Sequence, residues 1–464
     1  MRTAENPLSV IRGQLQPTTD DPFDEAQGKR RLTTDYGPLD TAVAKLDAWF
    51  ETMRGPGGYG GPIAHWWQQS LVYTGAGLDW RYEGVIAGYV RLWERTGDER
   101  WLRKARRAGD DLVDGQLASG HYAASAFELN PATAGTPHEA ACDVALLLLA
   151  RGLRAAGHAG WEQYVACAEQ NLRAFYVGQL WDAEARAFSD SPHVPSFVPN
   201  KAATACEALF LLAEVAGESS WVECYALPTL DRILMHQVRG GGSLDGAIAQ
   251  NSLGRRTVET FFPIYIARCV PALLRGYRWT NDEQYAECAL RAMRFITRWM
   301  GEDGSFPTAI YANRRANRSP SWIAPLGDLL RAADELQPYG FDADLRLTER
   351  RLLAGQDESG GIRTASDFAT QAGGRPVPTP DLRDILHVAG WCDKAFRYLA
   401  SHAGPALPAE TSAPFEVVCT FRKQAMRLVE TPTLLEISCR GVVRYRWRKG
   451  EPWPEIASAE FWLR

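Results

Sequence analysis

Residues 115–122 read GQLASGHY, and this turn pattern returns along the chain about every 60 residues. Later copies are GQLWDAEARAF at 178–188, HQVRGGGSLDG at 236–246 and GQDESGGI at 355–362. Their glutamines are 63, 58 and then 119 residues apart, and WMGEDGSFPTA at 299–309 fills the one long interval. Self-similarity at a fixed period of this length predicts a repeat architecture.

Two kinds of helix alternate between these turns. The first kind opens with an aromatic residue, as at Trp101, Trp161, Trp221 and Tyr285, and its apolar side chains recur along one side. The second kind is apolar on almost every side, as in EAACDVALLLLARGL at residues 139–153. One-sided helices have a core face and a water face, whereas helices of the second kind must be covered all round.

Six helices of each kind predict an all-α fold, an (α/α)6 toroid with six inner helices ringed by six outer ones. The inner helices are expected to begin near Asp79, His138, Lys201, Val258, Ser321 and Leu382. The outer helices are expected to begin near Leu39, Asp98, Trp161, Ser219, Asn281 and Phe341. Because the inner helices run parallel, their N-termini and positive dipole ends meet at one face, which we term the mouth.

The toroid is predicted to span residues 36–402. Residues 1–35 are polar and aperiodic, so we expect a disordered or loosely attached lead-in, and whether it belongs to the mature protein stays open. Residues 403–414 have the composition of a linker. FEVVCTF, LLEISCR and VVRYRWR predict a small β module over residues 415–464 that packs on the toroid, since so few strands rarely stand alone.

Composition argues against several functional classes. The formal charge of −5 and the pI near 6.0 give no basic surface for nucleic acid. No stretch approaches the roughly 18 apolar residues of a membrane span, and the N-terminus has no apolar signal segment. The nine cysteines include no CxxC pair, which predicts reduced structural thiols and a cytoplasmic protein. The oligomeric state is not indicated.

The segment at residues 56–84 is the richest in chemistry, and it leads into the first inner helix. It combines aromatic rings with charged and amide side chains, among them His65, Trp66, Trp67, Trp80 and Arg81. Sugar rings need this mixture, because their C–H faces stack on aromatic rings and their hydroxyls require hydrogen bonds. A Trp-rich lid that only seals the ring is the alternative.

Four acids are candidates for catalysis: Asp79, Glu83, Glu139 and Asp143. Asp79 and Glu83 are four residues apart on one helical face, and so are Glu139 and Asp143. We expect Glu83 and Glu139 to form the acid/base pair, with Asp79 or Asp143 adjusting their protonation. A helix cap at Asp79 and a buried ion pair at Asp143 are the structural alternatives.

Loops and first helical turns further round the mouth supply candidates for substrate binding. They are His138, Lys201, Asp245, Arg255, Glu259, Trp322 and Asp381. Several arginines at one mouth suggest an anionic ligand such as a uronic acid or a phosphorylated sugar. The same arginines could instead balance the acids listed above.

No cofactor and no metal are predicted. Residues 55–60 fit GxGxxG, but they follow a helix and lead into no βαβ unit, so dinucleotide binding is not indicated. The sequence has no HExxH, no paired CxxC, no P-loop and no serine in a nucleophile-elbow context. The expected partner is a small molecule or an oligosaccharide, not nucleic acid or a membrane.

The pattern resembles two toroid families. The turn at residues 356–361, echoed at 302–306, is similar to the repeat of terpenoid cyclases and protein prenyltransferases over about 365 residues, but their acidic DxDD-type box and zinc ligands have no counterpart here. The chain also resembles the six-hairpin glycosidase-like clan, which includes unsaturated glucuronyl hydrolases, sugar epimerases and some polysaccharide lyases. That resemblance implies an active site at the mouth, where Asp79, Glu83 and Glu139 occupy comparable positions.

We therefore expect a carbohydrate-active enzyme, a glycoside hydrolase or a lyase-like enzyme, that acts on a sugar by carboxylate acid/base catalysis. Hydrolysis, elimination, epimerisation and binding alone are not separated by the sequence, and the substrate and stereochemical course stay open. The side chains expected to hold the sugar include Trp66, Trp67, Trp80, Arg81, Lys201, Arg255 and Trp322.

Two alternatives belong to other functional classes. One is a non-catalytic toroid that binds a glycan or a protein. The other is an isoprenoid enzyme whose deep cavity would be lined by Phe261, Phe262, Tyr265 and Trp322 with few charges. The polarity of the cavity wall separates these cases.

Overall fold

Inner and outer helices alternate along the chain in the computed structural model, which describes residues 37–64, 72–123, 135–254, 256–370 and 378–454. The outer helices are α1 (Pro38–Thr52), α3 (Glu99–Asp114), α5 (Glu162–Asn171), α7 (Leu227–Met235), α10 (Glu283–Arg298) and α12 (Arg346–Ala354). The inner helices are α2 (Arg81–Thr96), α4 (Ala140–Ala155), α6 (Pro199–Ala216), α8 (Pro263–Ala267) with α9 (Val270–Thr280), α11 (Leu326–Leu336) and α14 (Ala389–His402). Wider helical turns at Leu172–Leu180 and Val222–Ala226 follow α5 and precede α7, and a short α13 (Leu382–Ile385) precedes α14.

The inner helices form a closed ring. Helix α2 packs against α4 on one side and against α14 on the other, and α4–α6, α6–α9, α8–α11 and α11–α14 complete the circle. The (α/α)6 toroid expected from the sequence is thereby confirmed. The last three inner helices begin at Pro263, Leu326 and Ala389, later than expected, because short strands or α13 occupy the residues before them.

Three of the repeated glutamines make the same pair of hydrogen bonds, which explains why the turn recurs. Each side-chain amide donates to a glycine carbonyl of its own turn and to a backbone carbonyl of the next outer helix in the ring. The pairs are Gln116 with Cys167 at 2.8 Å, Gln237 with Cys288 at 2.8 Å, and Gln356 with Ala42 at 2.9 Å. Because Ala42 belongs to α1, the last of these bonds ties the final repeat to the first.

Two glycines allow the inner helices to approach closely at the end of the chain. A Cβ atom on Gly84 of α2 would overlap the carbonyl of Asp393, and one on Gly327 of α11 would overlap the carbonyl of Lys394. Both carbonyls belong to α14, so this helix is held tightly between α2 and α11. The same approach brings charged side chains of the three helices together beneath the mouth.

Short antiparallel strands, which the sequence pattern did not indicate, connect the helices at the mouth. They are β1 (Arg54–Gly55), β2 (Gly58–Ala64), β3 (Val72–Ala76), β4 (Trp181–Asp182), β5 (Ala187–Phe188), β6 (Ser196–Phe197), β7 (Asn251–Leu253), β8 (Arg256–Val258), β9 (Thr260–Phe261), β10 (Ala309–Tyr311), β11 (Ala316–Asn317), β12 (Ser321–Trp322) and β13 (Ala365–Ser366). Long loops over a mouth contain backbone groups that need partners, and pairing neighbouring loops as strands satisfies them.

The C-terminal strands form one antiparallel sheet in the order of the chain. They are β14 (Phe415–Phe421), β15 (Gln424–Thr431), β16 (Leu434–Cys439) and β17 (Val442–Arg448). The sheet covers the place where α1 meets the last repeat: Trp49 of α1 donates a hydrogen bond to Glu430 of β15 at 2.7 Å.

Four buried or half-buried charged groups hold this sheet to the toroid, and we call Asp357, His387, Glu430 and Lys449 the seam cluster. His387 Nδ1 lies 2.7 Å from Glu430 and its Nε2 lies 3.0 Å from Asp357, while Lys449 lies 2.8 Å from Glu430. Burial opposes protonation of His387, but Glu430 and Asp357 outweigh it and raise the pKa of the imidazole to about 9.

Three further expectations from the sequence concern membrane-spanning helices, the cysteines and the N-terminal residues. No helix in the described ranges is both long and apolar enough to cross a bilayer. All nine cysteines are free thiols, and eight of them are buried. Residues 1–35 lie outside the described residues.

Candidate active site

A cavity of about 460 Å³ opens at the mouth of the inner ring. First turns of the inner helices and the strands β7–β9 supply its described lining. Four aromatic side chains contribute: Trp80, Phe262, Tyr265 and Trp391. The uncharged polar side chains are Asn200, Thr204, Gln250, Asn251 and Thr260, and the titratable ones are Glu83, His138, Asp190, Lys201, Arg268, Asp328 and Lys394. The size and the mixed lining are those of a small-molecule site.

Beneath the cavity lies a buried network of ion pairs, the floor cluster, which consists of Glu83, Glu207, Arg268, Arg331, Lys394 and Arg397. Arg268 joins the two acids: its guanidinium nitrogens lie 2.7 Å from Glu83 and 2.6 Å from Glu207. Arg331 lies 3.0 Å from Glu207, Arg397 pairs with Glu83, and Lys394 lies 3.6 Å from Glu83. Five inner helices therefore meet in one network of opposite charges.

The cations of the floor cluster fix the protonation of its acids. Burial alone would raise the pKa of Glu83, but Arg268, Arg397 and Lys394 outweigh it and lower that pKa to about 2. The same balance lowers the pKa of Glu207 well below its usual value. Both side chains are therefore ionised at neutral pH and held in place, which does not suit a proton donor.

Each cation in the described lining has a carboxylate partner. Lys201 lies 2.8 Å from Asp190, and Lys394 lies 2.7 Å from Asp393. Arg268 is held between the two acids of the floor cluster. Their charges are thus already balanced within the protein.

Asp328 differs from the other charged groups of the lining. It stands in the first turn of α11 and is 8% exposed. It is close enough to contribute to the raised pKa of both Lys394 and Arg268, where burial acts in the opposite direction. Its carboxylate nevertheless forms no hydrogen bond or ion pair with any described residue. Asp328 is therefore a carboxylate at the cavity surface whose oxygens are available to a ligand.

The aromatic side chains of the cavity are fixed by their neighbours. The indole nitrogen of Trp80 donates to the carbonyl of Gly390 at 3.0 Å, and its ring lies 5.0 Å from the imidazole of His138. Trp391 packs against Trp322 at 5.4 Å. Rigid rings of this kind present a defined face to a ligand.

The four predicted catalytic acids are not brought together at the cavity. Glu83 lines it, but as part of the floor cluster. Asp79 forms a bidentate ion pair with Arg81, at 2.7 and 3.0 Å. Glu139 does not belong to the described lining of the cavity. Its carboxylate instead contacts Gly135, Asn171 and His121.

Asp143 is buried deeper on the same side of the ring. Its Oδ1 accepts a hydrogen bond from Tyr122 at 2.7 Å, and its Oδ2 has no hydrogen-bond partner among the described residues. Burial raises the pKa of this carboxyl well above its usual value, which favours the neutral acid. The ion pair considered as an alternative for Asp143 is therefore not present in the described part of the chain.

The predicted binding residues divide between the cavity and other places. Trp80, His138 and Lys201 line the cavity, whereas Trp322 lies behind Trp391. Four others do not line it in the described structure: Arg81 pairs with Asp79, Asp245 pairs with Arg291, the Glu259 carbonyl accepts from Ala312, and Asp381 caps α13 and pairs with Arg383. His65, Trp66, Trp67 and Arg255 fall outside the described residues.

Sequence reasoning missed Asp328, Lys394 and Trp391. A usable signal existed for Asp328, because it lies in the first turn of an inner helix, the position from which the other candidates at the mouth were chosen. Among side chains with described positions, no three His, Cys, Asp or Glu residues are grouped so as to hold a metal ion.

Comparison with known proteins finds similarity in structure but not in sequence. No protein-family model matches the chain, and no curated protein matches its sequence. Among solved structures, D-mannose isomerase superposes with a TM-score of 0.55 and 11% identity, covering 78% of this chain and 96% of that one. A sugar epimerase from a ruminal bacterium gives 0.54 and 12%, covering 80% and 96%. The unsaturated glucuronyl hydrolase of Bacillus sp. GL1 gives 0.52 and 16%, covering 78% and 94%.

These neighbours are six-hairpin glycosidase-like (α/α)6 toroid enzymes. At identities of 11–16% the likeness shows the fold alone. It extends over nearly the whole length of each neighbour, so the ring as a unit is shared.

Proposed function

We propose that the protein is a carbohydrate-active enzyme that binds a sugar in the mouth cavity and transforms it by carboxylate acid/base catalysis, with Asp328 as the acid/base group. The observation that carries this proposal is the single unpartnered carboxylate of the described lining, set among aromatic rings and amide and hydroxyl groups. The shared fold with sugar isomerases, epimerases and hydrolases supports the same substrate class by analogy.

Asp328 suits this role because it faces the cavity and is not held by a cation. A general acid or base must reach its substrate proton, and a carboxylate locked in ion pairs cannot change protonation without breaking them. Glu83, our expectation from the sequence, is locked in this way, and Glu139 does not reach the described lining. We therefore assign Glu83 to holding the cavity floor.

Bond cleavage is the favoured reaction class within this proposal. Trp80 and Trp391 would stack on the sugar, while Asn200, Gln250 and Asn251 would bind its hydroxyls. Asp328 would then donate a proton to the glycosidic oxygen that leaves and regain one from the water that adds to the anomeric carbon, so that the glycosidic bond is hydrolysed.

The proposed sugar is uncharged. Lys201, Arg268 and Lys394 each have a carboxylate partner, so a uronic acid would have to displace one of these partners to gain an ion pair. It would also place a second negative charge near Asp328. The acidic substrate that the arginines of the sequence suggested is therefore the less favoured choice.

The experiment is a turnover screen with aryl glycosides of glucose, galactose and mannose beside the corresponding glucuronide and an unsaturated uronyl disaccharide. We expect the wild type to turn over at least one neutral glycoside, and Asp328→Asn to lower kcat at least about 100-fold without lowering Tm. The matched control is Asp334→Asn, on the same helix but at a second cavity where it pairs with His402 at 3.2 Å. Full activity of Asp328→Asn would contradict the assignment.

The isoprenoid alternative fits the cavity poorly. Phe262 and Tyr265 line the cavity, as the isoprenoid alternative requires, but Phe261 and Trp322 are not part of the described lining. Six charged side chains share the wall, where a hydrocarbon substrate needs an apolar surface.

A further inference from the structure

Two small sheets, β6–β7–β8 and β9–β10–β11, form one wall of the mouth, and the Gln250 N–H joins them by donating a hydrogen bond to the Thr260 carbonyl at 2.9 Å. Asn251 is directly opposite Val258, and Leu253 is directly opposite Arg256, in the β7–β8 pair. Opposite residues of an antiparallel pair lie on the same face, and successive residues alternate between faces. These four side chains therefore share one face, and because Asn251 and Val258 line the cavity, it is the face turned toward the ligand.

The other face of β7 points into the protein. Ser252 is buried and hydrogen-bonds His236 Nε2 at 3.0 Å, and Phe197, opposite Ser252 on β6, is buried as well. Strand β7 is thus anchored on one side, whereas all three residues of β8 are exposed and this strand forms the edge of the sheet.

Strand β10 continues the same wall. Tyr311 is directly opposite Thr260, which lines the cavity, so the Tyr311 ring lies on the cavity side of the wall. Ile310 and Phe261 occupy the inward face and are buried. The wall therefore carries Thr260 inside the cavity and Tyr311 outside it.

Three apolar side chains of this wall are unusually exposed. Leu253 is 53% exposed, and Val258 and Tyr311 are each 37% exposed. An exposed apolar surface continuous with a cavity marks a place where a ligand or a partner is covered from water. A free monosaccharide held in the cavity would leave Leu253 and Tyr311 in contact with solvent.

We propose that this wall is a second subsite, which binds an apolar alkyl or aryl group attached to the sugar held in the cavity. The inference rests on the proposed function and names its substrate class as glycosides with an apolar aglycone. Leucine and valine side chains offer no hydrogen bonds to hydroxyls, so they favour an apolar group over a second sugar. Val258, which belongs to both the cavity lining and the exposed strip, makes the two subsites continuous.

Isothermal titration calorimetry with matched glycosides tests this subsite. The probes are the methyl and n-hexyl β-glycosides of glucose, galactose and mannose, together with cellobiose. For a sugar whose methyl glycoside binds, we expect the hexyl glycoside to bind at least about tenfold more tightly to the wild type. Leu253→Ser should reduce this advantage below about threefold and leave the affinity for the methyl glycoside unchanged.

Two further variants keep the result interpretable. Leu253→Met retains an apolar side chain and should keep the tenfold advantage. Val418→Ser changes an apolar residue that is 63% exposed on the C-terminal sheet and should also keep it. An equal Tm for all variants excludes unfolding as the cause.

The outcomes separate this inference from the proposed function. Binding of methyl and hexyl glycosides with equal affinity overturns the subsite and leaves the proposed function standing. A tenfold advantage that appears for cellobiose and not for the hexyl glycoside assigns the wall to a second sugar and overturns the apolar class. Failure of every glycoside to bind counts against both.

Discussion

The floor cluster and the seam cluster are built from the same chemical parts but differ in what lies beside them. Both place carboxylates and cations out of water, with ion-pair distances that include 2.6 Å in the floor cluster and 2.7 Å in the seam cluster. The seam cluster is enclosed between the toroid and the C-terminal sheet. The floor cluster is open on one side to the cavity, and there Asp328 lies close to its cations without pairing. Density of buried charge is therefore common to both clusters, and what distinguishes the floor cluster is the unpaired carboxylate beside it at the cavity surface.

The largest expected effect tests whether the floor cluster is structural. Glu207→Gln leaves Arg268 and Arg331 buried without their shared carboxylate, and breaking a buried pair in this way costs about 3–5 kcal/mol. Urea unfolding of the variant should show a loss of unfolding free energy of that size.

Glu214→Gln is the matched control for this change. Glu214 lies on the same helix, α6, but its partners Arg151 and Arg275 bind it at the surface, where its side chain is 38% exposed. Exposed pairs contribute at most about 1 kcal/mol. Equal losses in the two variants would mean that the floor cluster does not hold the ring together.

The next effect separates the seam cluster from catalysis through its pH dependence. The pKa of His387 is about 9 in the folded protein and about 6.5 when unfolded, so its charged form stabilises the fold. That contribution is complete below about pH 6.5 and disappears as the pH rises through 9. The wild type should therefore exceed His387→Asn in unfolding free energy by about 3 kcal/mol more at pH 6 than at pH 10.

Turnover provides the second measurement on the same variant. His387 lies away from the cavity lining, so kcat of the folded His387→Asn protein should match that of the wild type at pH 7. The exposed His193→Asn serves as the control for the unfolding series and should leave the free energy of unfolding unchanged. A loss of kcat in His387→Asn without a loss of stability would show that the seam cluster contributes to turnover and not only to stability.

The last expected effect concerns Asp143, a buried acid that belongs to neither cluster. Burial raises its pKa and favours the neutral acid, and Asn keeps the acceptor for Tyr122. Asp143→Asn should therefore raise the unfolding free energy at pH 7, because the wild type must take up a proton on folding and asparagine need not. Any gain should shrink toward pH 4, where the unfolded wild type also becomes protonated. A loss of several kcal/mol at pH 7 would show that Asp143 is charged and paired.

The fold could be read from the sequence because its signals are local and repeated. Gln116, Gln237 and Gln356 each hold a turn against the next outer helix, and one physical contact repeated in this way leaves a periodic trace. The apolar helices followed from the need to cover every side of an inner helix. Most strands of the mouth left no such trace, since two or three residues do not establish a period.

Residues of the cavity lining were predicted only where the start of a helix was read correctly. Trp80, Glu83 and His138 were found because α2 and α4 begin close to the expected residues. Asp328 was missed because α11 begins at Leu326 and not near Ser321, so this first-turn residue lies seven positions beyond the expected start of the helix. The pairing of Glu83 with Arg268 joins residues 185 apart, and no local pattern records such a contact.

The closure of α14 onto α2 has a consequence for how the protein is made. The bond between Glu83 and Arg397 spans 314 residues, so it cannot form until the last inner helix has emerged from the ribosome. Until then the first five repeats form an incomplete ring with exposed edges, and Glu83 lacks its cationic partners from α14. The complete lining of the mouth cavity can therefore form only after the final repeat, which supplies Trp391 and Lys394, has been synthesised.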